Sequence, residues 1–176
     1  MRPDSQPEVW LRGPLPAMSP LLQPIAHALL QAREELQAAL AKFPDELLAA
    51  RPAGVASVGF HLRHLAGVLD RMQTYARHQP LSPAQFAFLA AEKDGPATPD
   101  TVAGLLEQFS AAVEDMLHTL QTTQERVLPE FRPVGRQGLP STVMGLLVHA
   151  AEHTTRHVGQ LLVTARVVLR DRTEEA

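Results

Sequence analysis

Apolar residues recur every three to four positions along most of this chain and almost nowhere alternate strictly, so the pattern predicts helices rather than strands. The longest such stretch is residues 141–169, STVMGLLVHAAEHTTRHVGQLLVTARVVL. At about 100° per residue, Val143, Leu146, Leu147, Ala150, Val158, Leu161, Ala165 and Val168 fall on one apolar arc. Three further long stretches share the period. In residues 19–42, Ile25, Leu29, Leu36 and Leu40 make the apolar face, Ser19 is the expected cap, and Pro20 and Pro24 fall in the tolerant first turn. In residues 57–78, capped by Ser57, the face is Val58, Leu62, Leu65, Leu69, Met72 and Ala76. A third helix, capped by Asp100 or Thr98 and ending near Thr122, turns Val102, Leu105, Leu106, Phe109, Val113, Met116, Leu117 and Leu120 inward. Between these last two, Ser82-Pro83 opens a short helix to about Lys93, with Phe86 and Leu89 expected inward.

These elements predict an all-α fold: a four-helix bundle of long amphipathic helices with a short extra helix between helices 2 and 3. The expected division is an irregular segment over residues 1–18, with four prolines and with Trp10 and Leu11 free to dock on the domain; a bundle over 19–170; and a polar, frayed tail over 171–176. Asp45 is expected to cap one or two turns of its own. Residues 127–140, punctuated by Pro129, Pro133, Gly135 and Gly138, read as a loop covering one end of the bundle.

Composition narrows the chemistry. The 176 residues fit one domain, 45% of them are hydrophobic, and the net charge is −3. There is no basic excess to bind nucleic acid and no apolar run of membrane-spanning length. The first twenty residues lack the hydrophobic centre of a signal peptide, so the expected location is cytoplasmic. With no cysteine, disulfides, thiolate ligands and a cysteine nucleophile are all excluded, and any metal must be held by histidine and carboxylate.

Histidine is where candidate chemistry concentrates. His149, His153 and His157 follow one another at four-residue spacing, which places successive rings on one helix face. His149 and His157 lie roughly 12 Å apart along the axis, so all three cannot share an ion. His157 falls inside the apolar arc and His153 on its rim, while His149 points further out. The order H-A-A-E-H lacks the H-E-x-x-H arrangement of ligands and base, and a third ligand must come from elsewhere. The second helix offers two candidates in F-H-L-R-H-L-A-G: His61 within its apolar arc and His64 on the rim. Periodicity does not choose between them. A lone inward histidine is more often a hydrogen-bonded core residue than a ligand, but three on two facing helices make the protein share of a catalytic zinc-type site with an open position. His27 and His118 show no such pattern and read as surface or rim residues.

The stretch S-V-G-F-H-L-R-H-L-A-G-V-L-D-R-M and the stretch G-L-L-V-H-A-A-E-H-T-T-R-H-V-G-Q-L, with its H-x-x-x-H-x-G-Q pattern, resemble the second-helix and last-helix motifs of the DinB superfamily, the DinB/YfiT-like metalloproteins. The resemblance covers residues 20–170. It implies a divalent ion, Zn²⁺ or Ni²⁺, held by His64, His153 and His157. It also implies a metal-dependent thiol transferase or hydrolase, with a low-molecular-weight thiol as cosubstrate. By the same resemblance Gly159 lets a neighbouring helix approach, and Gln160 either bonds near the site or faces solvent. His61 and His149, each a turn from a ligand, are candidates for proton transfer or for support of the ligands, or are rim residues with no role. Arg63 and Arg156 are either surface residues or attractors of an anionic substrate, and Glu152 is expected to pair with Arg156. The expected partners are a small-molecule substrate and a second copy of the chain, with no nucleic acid and no membrane. The competing reading is a non-catalytic binding or dimerisation module whose histidines are structural.

Overall fold

The computed structural model describes residues 6–93 and 100–175. Five α-helices, α1 (Gln23–Leu40), α2 (Val58–Ala76), α3 (Pro83–Ala91), α4 (Val102–Thr122) and α5 (Val143–Glu175), account for most of them. The four long helices surround one core: α2 lies against α4 and α5, and α1 lies against the same two from the other side. Every residue of the apolar arc read for the last helix is buried, as are Leu62, Leu65 and Leu69 of α2 and Phe109, Val113 and Met116 of α4. No helix among the described residues is long and apolar enough to cross a membrane.

The helix ends differ from expectation where a side chain has a better partner. Ser57 caps α2 as expected, accepting from the Phe60 amide at 3.2 Å, and Ser82 caps α3 in a reciprocal box with Gln85. Asp45 does not cap its own turn. Its carboxylate reaches across to the Val102 amide at 2.7 Å and satisfies a free donor of α4. Asp100 pairs with Arg63, leaving Thr101 to cap α4; Thr98 lies outside the described residues. Helix α1 begins at Gln23 rather than at Ser19, because residues 20–22 form a turn closed by the Leu22 amide on the Ser19 carbonyl. The polar residues expected to fray continue α5 to Glu175.

Two expectations fail outright. Residues 127–140 are not a plain loop: β1 (Phe131–Val134) and β2 (Leu139–Thr142) form an antiparallel hairpin in which Pro133 faces Pro140. Both strands are edges, so prolines without an N–H are tolerated, and Gly135 and Gly138 take the positive φ of the turn. The chain leading out of this region closes α5, since Val143 and Met144 donate to the carbonyls of Glu130 and Leu128. Phe86 and Leu89 of α3 are not inward but 40% and 42% exposed. Helix α3 lies outside the core and docks on α2 through polar groups instead, Gln85 donating to Asp70 and Thr74. At the N-terminus it is Val9 that is buried, while Trp10 and Leu11 remain exposed.

Two helical glycines, Gly59 in the first turn of α2 and Gly159 in the middle of α5, make opposite predictions. A Cβ on Gly59 would sit 2.9 Å from the backbone carbonyl oxygen of Leu48, which also accepts the Gly59 amide. On Gly159, where close helix approach was expected, a Cβ would meet nothing within 4 Å. Gly159→Ala should therefore raise stability by about 1 kcal/mol through helix propensity. Gly59→Ala should lower it by roughly 1–3 kcal/mol, because a backbone atom has to move. Urea denaturation of both variants checks this; stabilisation by both would show that the Leu48 contact is not tight.

Candidate metal centre

Because α2 and α5 are neighbours, the histidines on each meet across their interface. Ring centroids of His64 and His157 are 4.5 Å apart, those of His153 and His157 4.5 Å, and those of His64 and His153 5.1 Å. One ligand nitrogen can be chosen from each of these three rings so that all lie within 4.8 Å of one another. Two nitrogens bound to one zinc at ~2.0–2.1 Å stand about 3.4 Å apart at the tetrahedral angle. The 2.8 Å between the Nε2 atoms of His64 and His153 and the 4.8 Å outer limit bracket that value. Three imidazoles without thiolate suit a divalent transition-metal ion.

His61 and His149 extend the cluster at its two ends. His61, 3% exposed, places Nδ1 3.0 Å from Nδ1 of His157. His149 lies beside His153 with ring centroids 5.0 Å apart; it is exposed and stands 3.3 Å from Glu152. The inward His61 and rim His64 of the sequence pattern are thus both found, and it is the rim residue that reaches both last-helix histidines. Glu152 pairs with Arg156 at 3.6 Å, as its four-residue spacing suggests. Gln160 is exposed.

Of the other residues around the rings, Phe60, Arg71 and Glu92 were not singled out from sequence. Phe60 stacks on His64 at 5.3 Å and 10° and meets His61 edge-on. The Glu92 carboxylate, 4% exposed, accepts from His64 Nδ1 at 2.7 Å and also binds Arg71. Arg63 is committed to Asp100 and to the Glu92 carbonyl, so its guanidinium is not a free anion attractor. Arg156 donates to His153 Nδ1 at 2.7 Å. Partner chemistry then assigns the protons. Glu92 only accepts, so His64 carries its hydrogen on Nδ1 and a lone pair on Nε2. Arg156 only donates, so His153 carries its hydrogen on Nε2, aimed at that lone pair.

A family model described as the DinB superfamily matches residues 28–161, a span that includes all five histidines of the cluster. No curated protein matches the chain significantly. Among solved structures, the crystal structure of a conserved protein from Enterococcus faecalis is similar. It has a TM-score of 0.64 and 23% identity, covering 84% of this chain and 96% of that one; at this identity the likeness speaks for the fold.

Burial, then the charge that neighbouring histidines would carry, pushes His61, His153 and His157 each down to about 4 from an ordinary value near 6.5. All three are therefore neutral, with lone pairs available, at neutral pH. Between about pH 4 and 6.5 the unfolded chain binds more protons than the folded one, so stability rises with pH across that window and falls on acidification. Thermal melts of chelator-treated protein should show the melting temperature dropping as pH falls from about 6.5 to 4, with a shallower drop in His61→Leu. A melting temperature independent of pH there would contradict the burial of neutral imidazoles.

Proposed function

The chain belongs to the DinB superfamily, and on that premise we propose that it is a DinB-type four-helix-bundle metalloprotein that binds one divalent ion through His64, His153 and His157 and uses it in catalysis. The observation that carries the reading is the convergence of one α2 and two α5 histidines with ligand atoms within 4.8 Å of one another. The functional unit is residues 19–170. Zn²⁺ and Ni²⁺ are the ions proposed, from among the transition metals that an all-imidazole donor set suits.

With three protein ligands, the bound ion would keep a position for water or a thiol and lower its pKa enough to yield a nucleophile at neutral pH. The protein's own groups have separable tasks. His61 is buried against His157 and steadies that ring through the Nδ1 contact. His149 stands at the exposed rim beside His153, where it can exchange protons with a substrate and with water. Offering Nε2 to an ion requires His153 to move its hydrogen to Nδ1. Arg156, which can only donate, must then turn away from that atom. A guanidinium released from His153, with its other nitrogen still 3.6 Å from Glu152, favours an anionic small molecule, such as a thiolate-bearing cosubstrate or its conjugate. The reaction class we propose is thiol transfer or hydrolysis.

Elemental analysis after purification without chelator tests the core of this proposal. We expect about one ion per wild-type chain and none in His64→Ala, whose helical circular dichroism should be unchanged. No ion in the wild type, even after incubation with zinc or nickel, would overturn it.

A further inference from the structure

Beside the histidine cluster lies a buried charged assembly that the three-histidine site does not itself require. Glu92 follows the last residue of α3 and is nearly fully buried. One carboxylate oxygen accepts from His64 Nδ1 at 2.7 Å, and the other binds Arg71, itself buried. The Glu92 carbonyl accepts from Arg63 Nε at 3.1 Å. Arg63, Gly67 and Arg71 recur at four-residue spacing on α2, so they form one stripe, and the end of α3 rests on it. The glycine in that stripe is what lets the carboxylate in. A Cβ on Gly67 would lie 2.3 Å from Glu92 Oε1, 2.7 Å from Arg71 Nη1 and 2.8 Å from the Phe88 ring.

A buried carboxylate with no partner is strongly disfavoured, and Arg71 supplies the compensating charge. Only one of the two carboxylate oxygens is needed for that pair. The other is aimed at the ring nitrogen that decides which tautomer His64 adopts. Resting on the metal reading above, we propose that Glu92 is the positioning residue of the site. Held by Arg71 over the bare Cα of Gly67, it keeps the His64 hydrogen on Nδ1 and presents the Nε2 lone pair to the ion. Glu92 touches neither ion nor substrate; it acts through His64. Hydrogen bonding of this kind orients the ring and raises its basicity, and its loss typically weakens metal binding 10–100-fold. A consequence is that ion affinity depends on how the end of α3 is docked.

The test uses the full chain and Co²⁺ as a spectroscopic probe, with affinity measured by competition against a chromophoric chelator. Glu92→Gln removes the charge, and Gly67→Ala displaces the carboxylate while keeping every charge. The second variant therefore still reads the inference if the first does not fold. Both should bind cobalt about 10–100-fold more weakly than wild type, with an altered visible spectrum. Leu29→Ala, in the core on α1, should lower the melting temperature yet keep wild-type affinity and spectrum, which separates positioning from general destabilisation. Wild-type affinity and spectrum in both Glu92→Gln and Gly67→Ala would overturn the inference while leaving the three-histidine site standing. A wild type that binds no cobalt, zinc or nickel would overturn the metal reading and this inference with it.

Discussion

The packing of α2 against α5 is the contact on which the rest of the site depends. Each helix buries an apolar face in the common core, and each carries histidines at the edge of that face. Leu62 and Leu65 on one helix, and Ala150, Val158 and Leu161 on the other, are fully or almost fully buried. With those side chains locked, the rotation of both helices is set, and His64 has no choice but to meet His153 and His157. Helix periodicity thus converts two short sequence patterns into a three-ring cluster without any loop having to be placed accurately.

The same contact creates an electrostatic problem. Imidazoles crowded at ring spacings of 4.5–5.2 Å cannot all be charged, and burial pushes His61, His153 and His157 toward neutrality. Around them the protein places groups with one-sided hydrogen-bonding character. Glu92 can only accept from His64, and Arg156 can only donate to His153, so the tautomers are set from outside the cluster. The Glu92 contact leaves His64 with the Nε2 lone pair an ion needs, whereas the His153 hydrogen, set on Nε2 by Arg156, has to move to Nδ1 before that ring can offer the same atom.

Much of this was legible in the sequence because helices announce their buried faces. The apolar arc of α5, the Ser57 cap and the rim position of His64 all follow from local pattern. What local pattern does not carry is any partner distant in the chain. Asp45 reads as a cap for its own turn until α4 arrives with a free amide. Phe86 and Leu89 read as inward residues, but α3 lies outside the core and is anchored by Gln85 and Glu92. The hairpin was hidden because Pro133 and Pro140 break the alternation that marks strands, and two prolines can face each other only where both strands are edges. Glu92 carries no periodic signal. The nearest hint was Gly67, an interior helical glycine four residues from an arginine on either side. Gly159 gave the opposite lesson: the motif's glycine faces open space, and the close approach occurs at Gly67.

The central claim is that this fold binds an ion through three histidines and leaves room for a further ligand. X-ray absorption spectroscopy of the zinc-loaded protein at neutral pH addresses it most directly, because it counts imidazoles at the metal. The account predicts three imidazole nitrogens at about 2.0–2.1 Å with at least one non-protein light-atom ligand completing the shell. Four imidazoles, with His61 drawn in to close the site, or fewer than three, would contradict it.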